Sequence, residues 1–302
     1  MQRMAVLLVA LFLVATASGQ TPPRTTTEDK VEIRWLDRLC DAPGWTVAEC
    51  SVGKSELACP SGGAAILMHV PVDHTAGEPN YPIGWPRIAC ALKGWETDWS
   101  QWDNFEFMIL AKSTREKLPK KAVGLLIGQR PAEFSRSLEF AEKDKWINVS
   151  IPVEALKEIG AAVQELSQVR FCVSESDYQD KDVVDFHVGA FRLTRSTACE
   201  VTEFSAKTNL VVFQGQPVLK LDVTVVGPPD EVKRGVPFTL KGKEGVVRRE
   251  MLPLGRGKQV YPCDISELKL VPGDYELVVF ADDDAKRKAV SLKVVEDPWK
   301  QE

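Results

Sequence analysis

Tyr81, Trp85, Trp95, Trp99 and Trp102 crowd into one short stretch that holds half of the chain's eight tryptophans. Their surroundings, YPIGWPR and LKGWETDWS, are rich in Pro, Gly and charge, a loop-like context. Arg87, Glu96 and Asp98 stand among them. These residue types suit sugar recognition. A pyranose ring presents a flat C–H face that packs on an aromatic ring, while guanidinium and carboxylate groups bond its hydroxyls. Tyr81, Trp85, Arg87, Trp95, Glu96, Asp98 and Trp99 are therefore the candidate ligand-binding residues. Large aromatics also fill cores. Trp102 abuts a strand and reads as core, and for Trp99 the core use is slightly the stronger. Trp85 and Trp95 stay open between the two uses.

Catalysis is less well supplied. The chain has no GxSxG, HExxH or Walker loop. Three histidines give little material for a Ser-His-Asp or Cys-His site. Glu96 and Asp98 could form a carboxylate pair for glycoside hydrolysis, yet acidic residues beside Trp fit binding equally. The acidic run Glu175 to Asp182 reads as a solvated turn. His69, Asp73 and His74 lack the spacing of a helical or strand metal pair. Asn148-Val149-Ser150 matches a glycosylation sequon inside an expected strand and reads as accidental.

The N-terminus bears on where any ligand is met. Arg3 is followed by an apolar run from Ala5 to Val14 and then by Ala15-Thr16-Ala17. A basic start, a short apolar segment and small exit residues make a secretory signal over residues 1–17. The run is too short for a membrane span, which needs about 20 apolar residues. The chain is therefore expected to be secreted or periplasmic and soluble after cleavage. A net charge of −5 argues against nucleic acid as a partner. Export permits disulfides. One or two are expected among Cys40, Cys50, Cys59 and Cys90, with Cys199 and Cys263 as another candidate pair. Cys172, inside an expected strand, reads as a buried thiol.

The elements that must position these residues are mostly strands. Phe105, Phe107 and Ile109 alternate with polar neighbours, as do Ile147, Val149 and Ile151, then Val169, Phe171 and Val173, then Phe186 and Val188. Pro152 to Ile159 could make two helical turns that stop at Gly160. Residues 18–30 read as a flexible lead, 31–195 as one β-domain, 198–296 as a second, and 297–302 as a tail. In the second, Leu219, Leu221, Val223 and Val225 share a face, and turn signals recur between short strands. The fold class is all-β.

Three stretches, Asp98 to Phe107 (DWSQWDNFEF), Trp146 to Pro152 (WINVSIP) and Val184 to Leu193 (VDFHVGAFRL), occur in an order that resembles the galactose-binding-like jelly-roll domains, which include many carbohydrate-binding modules. The second domain, with Pro272 to Leu277 (PGDYEL), resembles the immunoglobulin-like modules beside catalytic domains in secreted bacterial glycoside hydrolases. The resemblance implies a jelly-roll sandwich followed by an immunoglobulin-like sandwich, a polysaccharide or glycan as partner, and a hydrolase as a further partner chain. No cofactor is required. Many such domains hold a structural calcium, but Gly189 and Ala190 stand where an Asp pair is often found, which leaves Asp185 as the one candidate ligand. The expected function is non-catalytic glycan binding. The alternatives are a carboxylate-dependent jelly-roll glycosidase or lyase, and an envelope structural or protein-interaction protein without a sugar site. No nucleic acid and no membrane insertion are expected.

Overall fold

A computed structural model describes residues 23–75, 83–206, 211–214 and 218–296. The signal over residues 1–17 and the tail over 297–302 lie outside the described residues. No described helix is long and apolar enough to cross a membrane.

Twelve strands build the first sandwich: β1 (Thr25–Glu28), β2 (Val31–Trp35), β3 (Trp45–Ala48), β4 (Ser51–Lys54), β5 (Ala65–Pro71), β6 (Arg87–Ala91), β7 (Asn104–Ser113), β8 (Val123–Ile127), β9 (Phe134–Leu138), β10 (Ile147–Pro152), β11 (Gln168–Cys172) and β12 (Val183–Ser196). One sheet is organised by β12. Its edge towards β7 is continuous apart from a bulge between Gly189 and Arg192. Its other edge pairs first with β5 and, past the bulge, with β2. β10, β4 and β1 extend this sheet. The bulge needs Gly189, because a Cβ there would stand 2.9 Å from the Ala64 carbonyl and the Ala65 side chain.

The second sheet runs β3-β6-β11-β8-β9. Period-two alternation turns one face of each sheet inward. Phe105, Phe107 and Ile109 of β7 meet Ile88 of β6, Phe171 of β11 and Leu125 of β8 in one buried cluster. Phe107 and Phe171 meet edge to face at 5.5 Å. The expected short helix is α1 (Val153–Glu158), and Gly160 beyond it takes φ +80.

The second sandwich has a separate core, from Cys199 to Val294. Its strands are β13 (Glu200–Ala206), β14 (Val211–Phe213), β15 (Val218–Val226), β16 (Val236–Gly242), β17 (Gly245–Leu252), β18 (Gly257–Asp264), β19 (Gly273–Val279) and β20 (Lys288–Val295), with α2 (Pro229–Lys233) after β15. They form sheets β13-β15-β18 and β14-β20-β19-β16-β17. Gly257, with φ +95, opens β18. That strand tolerates Pro262 because it lies at a sheet edge. Arg256 ties the two sandwiches together, donating to Asp103 Oδ1 from Nε at 3.1 Å and to the Ser100 carbonyl at 2.8 Å.

Two expectations are corrected. Residues 25–28 of the supposed flexible lead pair with 31–34 in a hairpin whose turn residues, Asp29 and Lys30, both take positive φ. Arg24 fastens this hairpin by its ion pair with Asp37 at 2.9 Å and by lying over the Trp35 ring. The disulfides are absent, and all seven cysteines are free thiols. Spacing suggested pairs, but no two thiols are bonded, and Cys40 and Cys59, which come near enough to act on one another electrostatically, stay separate. Cys90 meets the Arg38 guanidinium at 3.4 Å, and Cys50 meets the Arg87 carbonyl at 3.4 Å. Burial pushes Cys40 and Cys263 up to about 11.

Candidate functional site

Strand β6 divides the aromatic stretch in two. Trp85 and Arg87 stand at its start, while Trp95, Glu96, Asp98 and Trp99 follow its end. At about 3.3 Å per residue the two groups are separated by the length of the strand, at its opposite ends. Tyr81 lies outside the described residues.

The far group does not form a platform. Trp99 is fully buried, stacked on Phe105 at 4.7 Å, and its indole N–H donates to the Glu96 carbonyl at 2.7 Å. Glu96 is buried too, gripped by Arg38 and accepting the Lys93 amide at 3.0 Å. Hydrogen bonding to Glu96 raises the Arg38 guanidinium above its ordinary value. Neither Trp99 nor Glu96 can reach a ligand, and both are withdrawn as binding residues. Trp102 is core, as expected, flanked by Arg34 at 4.6 Å and Arg195 at 5.0 Å. Trp95 is half-buried against the same core. Asp98 is exposed and accepts the Ser100 amide at 2.9 Å, a turn contact.

Trp85 is different. It is 58% exposed, yet its backbone is held firmly. The Gly84 amide donates to Glu175 Oε2 at 2.9 Å, and the Trp85 amide donates to Glu49 Oε2. Glu175 also accepts the Asp73 amide at 3.3 Å. Gly84 is required, because a Cβ there would lie 2.7 Å from Glu49 Oε2 and 2.8 Å from Glu175 Oε2. The Trp85 side chain lies near Cys172, the buried thiol of β11, whose value burial raises. An exposed ring with a fixed backbone loses little freedom on binding, which favours affinity.

Trp85 overlooks the outer face of the five-stranded sheet. Pairing sets that face in rows. Ala48, Arg87, Cys172, Gly124 and Ser137 are successive partners across the sheet, and Thr46, Ala89, Arg170, Leu126 and Ser135 form the next row. Small residues at Ala48, Ala89 and Gly124 keep the floor low. Thr46, Arg87, Gln168 and Arg170 border a trough of about 300 Å³ there. Arg170 is paired with Glu133 at 2.7 Å. Arg87 donates to the Trp85 carbonyl at 3.3 Å and has no ion pair among the described residues.

Beside Trp85 lies an acidic cleft of about 740 Å³, lined by Glu49, Asp73, Glu175, Asp180 and Asp182. The acidic run is thus corrected from solvated turn to anchor, for Glu175 and Asp182 are buried. Its carboxylates serve backbone amides: Asp182 accepts from Gln179 at 2.7 Å and Asp180 from His74 at 3.0 Å. Asp185, the candidate calcium ligand, has its Oδ1 2.7 Å from His69 Nδ1. Among the described residues no three His, Cys, Asp or Glu side chains are grouped to hold a metal. Ser55 Oγ lies 2.9 Å from His187 Nδ1, but both residues are buried, so this is a packing contact rather than an accessible nucleophile.

Sequence reading missed Thr46, Gln168, Arg170, Glu49 and Glu175. The first three lie on strands whose outward positions carry no local signal. The two glutamates act through residues far away in the chain.

No family model and no curated protein matches this chain. Solved structures with a partial likeness include a family 11 carbohydrate-binding module from Clostridium thermocellum in complex with a β-1,3-1,4-mixed-linked tetrasaccharide, at 13% identity and TM-score 0.36, over 53% of this chain and 94% of that one. An exo-β-agarase structure shows 10% identity and TM-score 0.38, over 54% of this chain and 25% of its own. A β-1,2-glucanase from Parabacteroides distasonis shows 11% identity and TM-score 0.35, over 84% and 37%. At these scores the likeness carries no argument about ligand or reaction, which have to be read from this chain's own side chains.

Proposed function

We propose that this chain is a secreted, non-catalytic binding protein for a polysaccharide or glycan, held along the outer face of the five-stranded sheet. The observation that carries this reading is Trp85, an exposed indole on a doubly anchored backbone, beside a shallow trough edged by Thr46, Arg87, Gln168 and Arg170. The ring offers a stacking surface for a sugar, and the side chains along the trough offer donors and acceptors for its hydroxyls. The glycosidase alternative is not favoured, because Glu49 and Glu175, the carboxylates that converge here, grip the Gly84–Trp85 backbone. Export by residues 1–17 would bring the protein to an extracellular ligand. Residues 31–195, extended by the hairpin strand Thr25–Glu28, would be the binding domain. Residues 198–296 would be an immunoglobulin-like spacer or docking module, and a hydrolase chain a further partner.

The test is Trp85→Ala with retardation in polysaccharide gels. Retention is expected to vanish while the melting temperature stays within about 2 °C, as for an exposed residue. Unchanged retention with an intact fold would remove this face as the binding site.

A further inference from the structure

We infer that the glycan taken by this face is acidic, with a uronate carboxylate received by Arg87. This rests on the glycan-binding reading above and adds the chemical class of ligand. Arg87 and Arg170 are diagonal neighbours on β6 and β11, because Arg87 pairs with Cys172 and Arg170 with Ala89. Diagonal neighbours on one sheet face lie within reach of long side chains. Two guanidinium groups thus share one open surface. Glu133 neutralises Arg170 at 2.7 Å. Glu49, another carboxylate nearby, accepts the Trp85 amide. Arg87 keeps its charge and most of its donors for an incoming group.

Three features make that group a carboxylate on a sugar. A guanidinium presents a planar fork of donors that matches a carboxylate bidentately. The small side chains of Ala48 and Ala89 flank Arg87 and leave room for a substituent to approach along the floor. Trp85, two residues away and linked to Arg87 through its carbonyl, offers the ring that the same sugar would stack on. The charge count also limits the ligand. Among the described residues one guanidinium of this face has no ion pair, and Glu49, Asp73, Glu175, Asp180 and Asp182 line the adjoining cleft. A uronate brings a single charge per ring. A densely sulfated chain would bring more negative charge than the face can neutralise and would meet the acidic cleft.

The experiment measures affinity of the full chain, by calorimetry and gel retardation, for polygalacturonate, its methyl-esterified form, mixed-linkage β-glucan and dextran sulfate. Polygalacturonate is expected to bind best. Methyl esterification and Arg87→Met are each expected to cost about tenfold, the scale of one charge-assisted hydrogen-bonded contact. Arg87→Lys should restore only part of that loss, because a point charge lacks the fork. Raising salt from about 50 to about 500 mM should weaken the wild type more than Arg87→Met. Equal or tighter binding of the esterified polymer or β-glucan would overturn the acidic class while leaving glycan binding in place. Dextran sulfate binding more tightly than polygalacturonate would overturn it as well. No binding to any of the four polymers would overturn the glycan reading itself.

Discussion

Arg256→Ala tests the joint between the two sandwiches. The Arg256 side chain is 12% exposed and that of Asp103 is 7% exposed. Arg256 Nη2 meets Asp103 Oδ1 at 2.5 Å, Nε meets the same oxygen at 3.1 Å, and Nη1 holds the Ser100 carbonyl at 2.8 Å. Asp103 Oδ2 accepts the Ser196 amide at 2.8 Å, at the end of the strand that leads into the second sandwich. Removing one partner of a buried pair costs about 3–5 kcal/mol, chiefly because the other charge stays behind unpaired. Here Asp103 would keep its Ser196 bond, and the neighbouring cleft of about 560 Å³ would admit water. The loss should therefore fall at the low end, about 3 kcal/mol. Arg256→Lys cannot reproduce the fork and should recover less than half of it. In urea unfolding, the double-mutant cycle with Asp103→Ala should give a coupling of about 1.5–3 kcal/mol. Small-angle scattering should show a longer, looser particle for Arg256→Ala. A stability change below about 0.5 kcal/mol, the level of an ordinary surface substitution, together with no measurable coupling, would refute the joint.

Further expectations concern titration and thiol chemistry. Burial holds the His187 imidazole below its ordinary value of 6.5, with Lys112 acting the same way and Asp185 opposing. The unfolded chain then takes up the proton first, so this contribution to stability is complete above pH 6.5 and declines as pH falls below it. Urea midpoints between pH ~7.5 and ~5 should drop less for His187→Asn than for the wild type, and an identical drop in both would assign the effect elsewhere. Denaturing thiol titration without reductant should count seven free cysteines, and any shortfall by a pair would reveal a disulfide. In the native state Cys40 and Cys263, both pushed up to about 11, should be among the slowest to alkylate.

The all-β class could be read from the sequence because alternation is a local property. β10 and β15 bury one face of a period-two pattern, as does the first half of β7, and nothing distant is needed to see it. The short helix before Gly160 was legible for the same reason, through Pro152 and the glycine stop. The aromatic stretch was legible as an anomaly of composition, but its division was not. Only pairing of β6 with β3 and β11 puts Trp85 over the outer face and sends Trp99 into the core. Glu175 shows the limit most clearly. In sequence it belongs to a run of acidic loop residues, and in the fold it is buried and fixes Gly84 across a gap of 91 positions. Cysteine spacing failed for a related reason, since a disulfide depends on where two backbones meet rather than on their separation along the chain. The sequence by itself determined which residues alternate, which can bend and which carry charge, because those are properties of neighbours. Tertiary structure alone decided which aromatic ring meets solvent and which guanidinium, among the described residues, has no ion pair, because burial and pairing depend on strands brought together from distant parts of the chain.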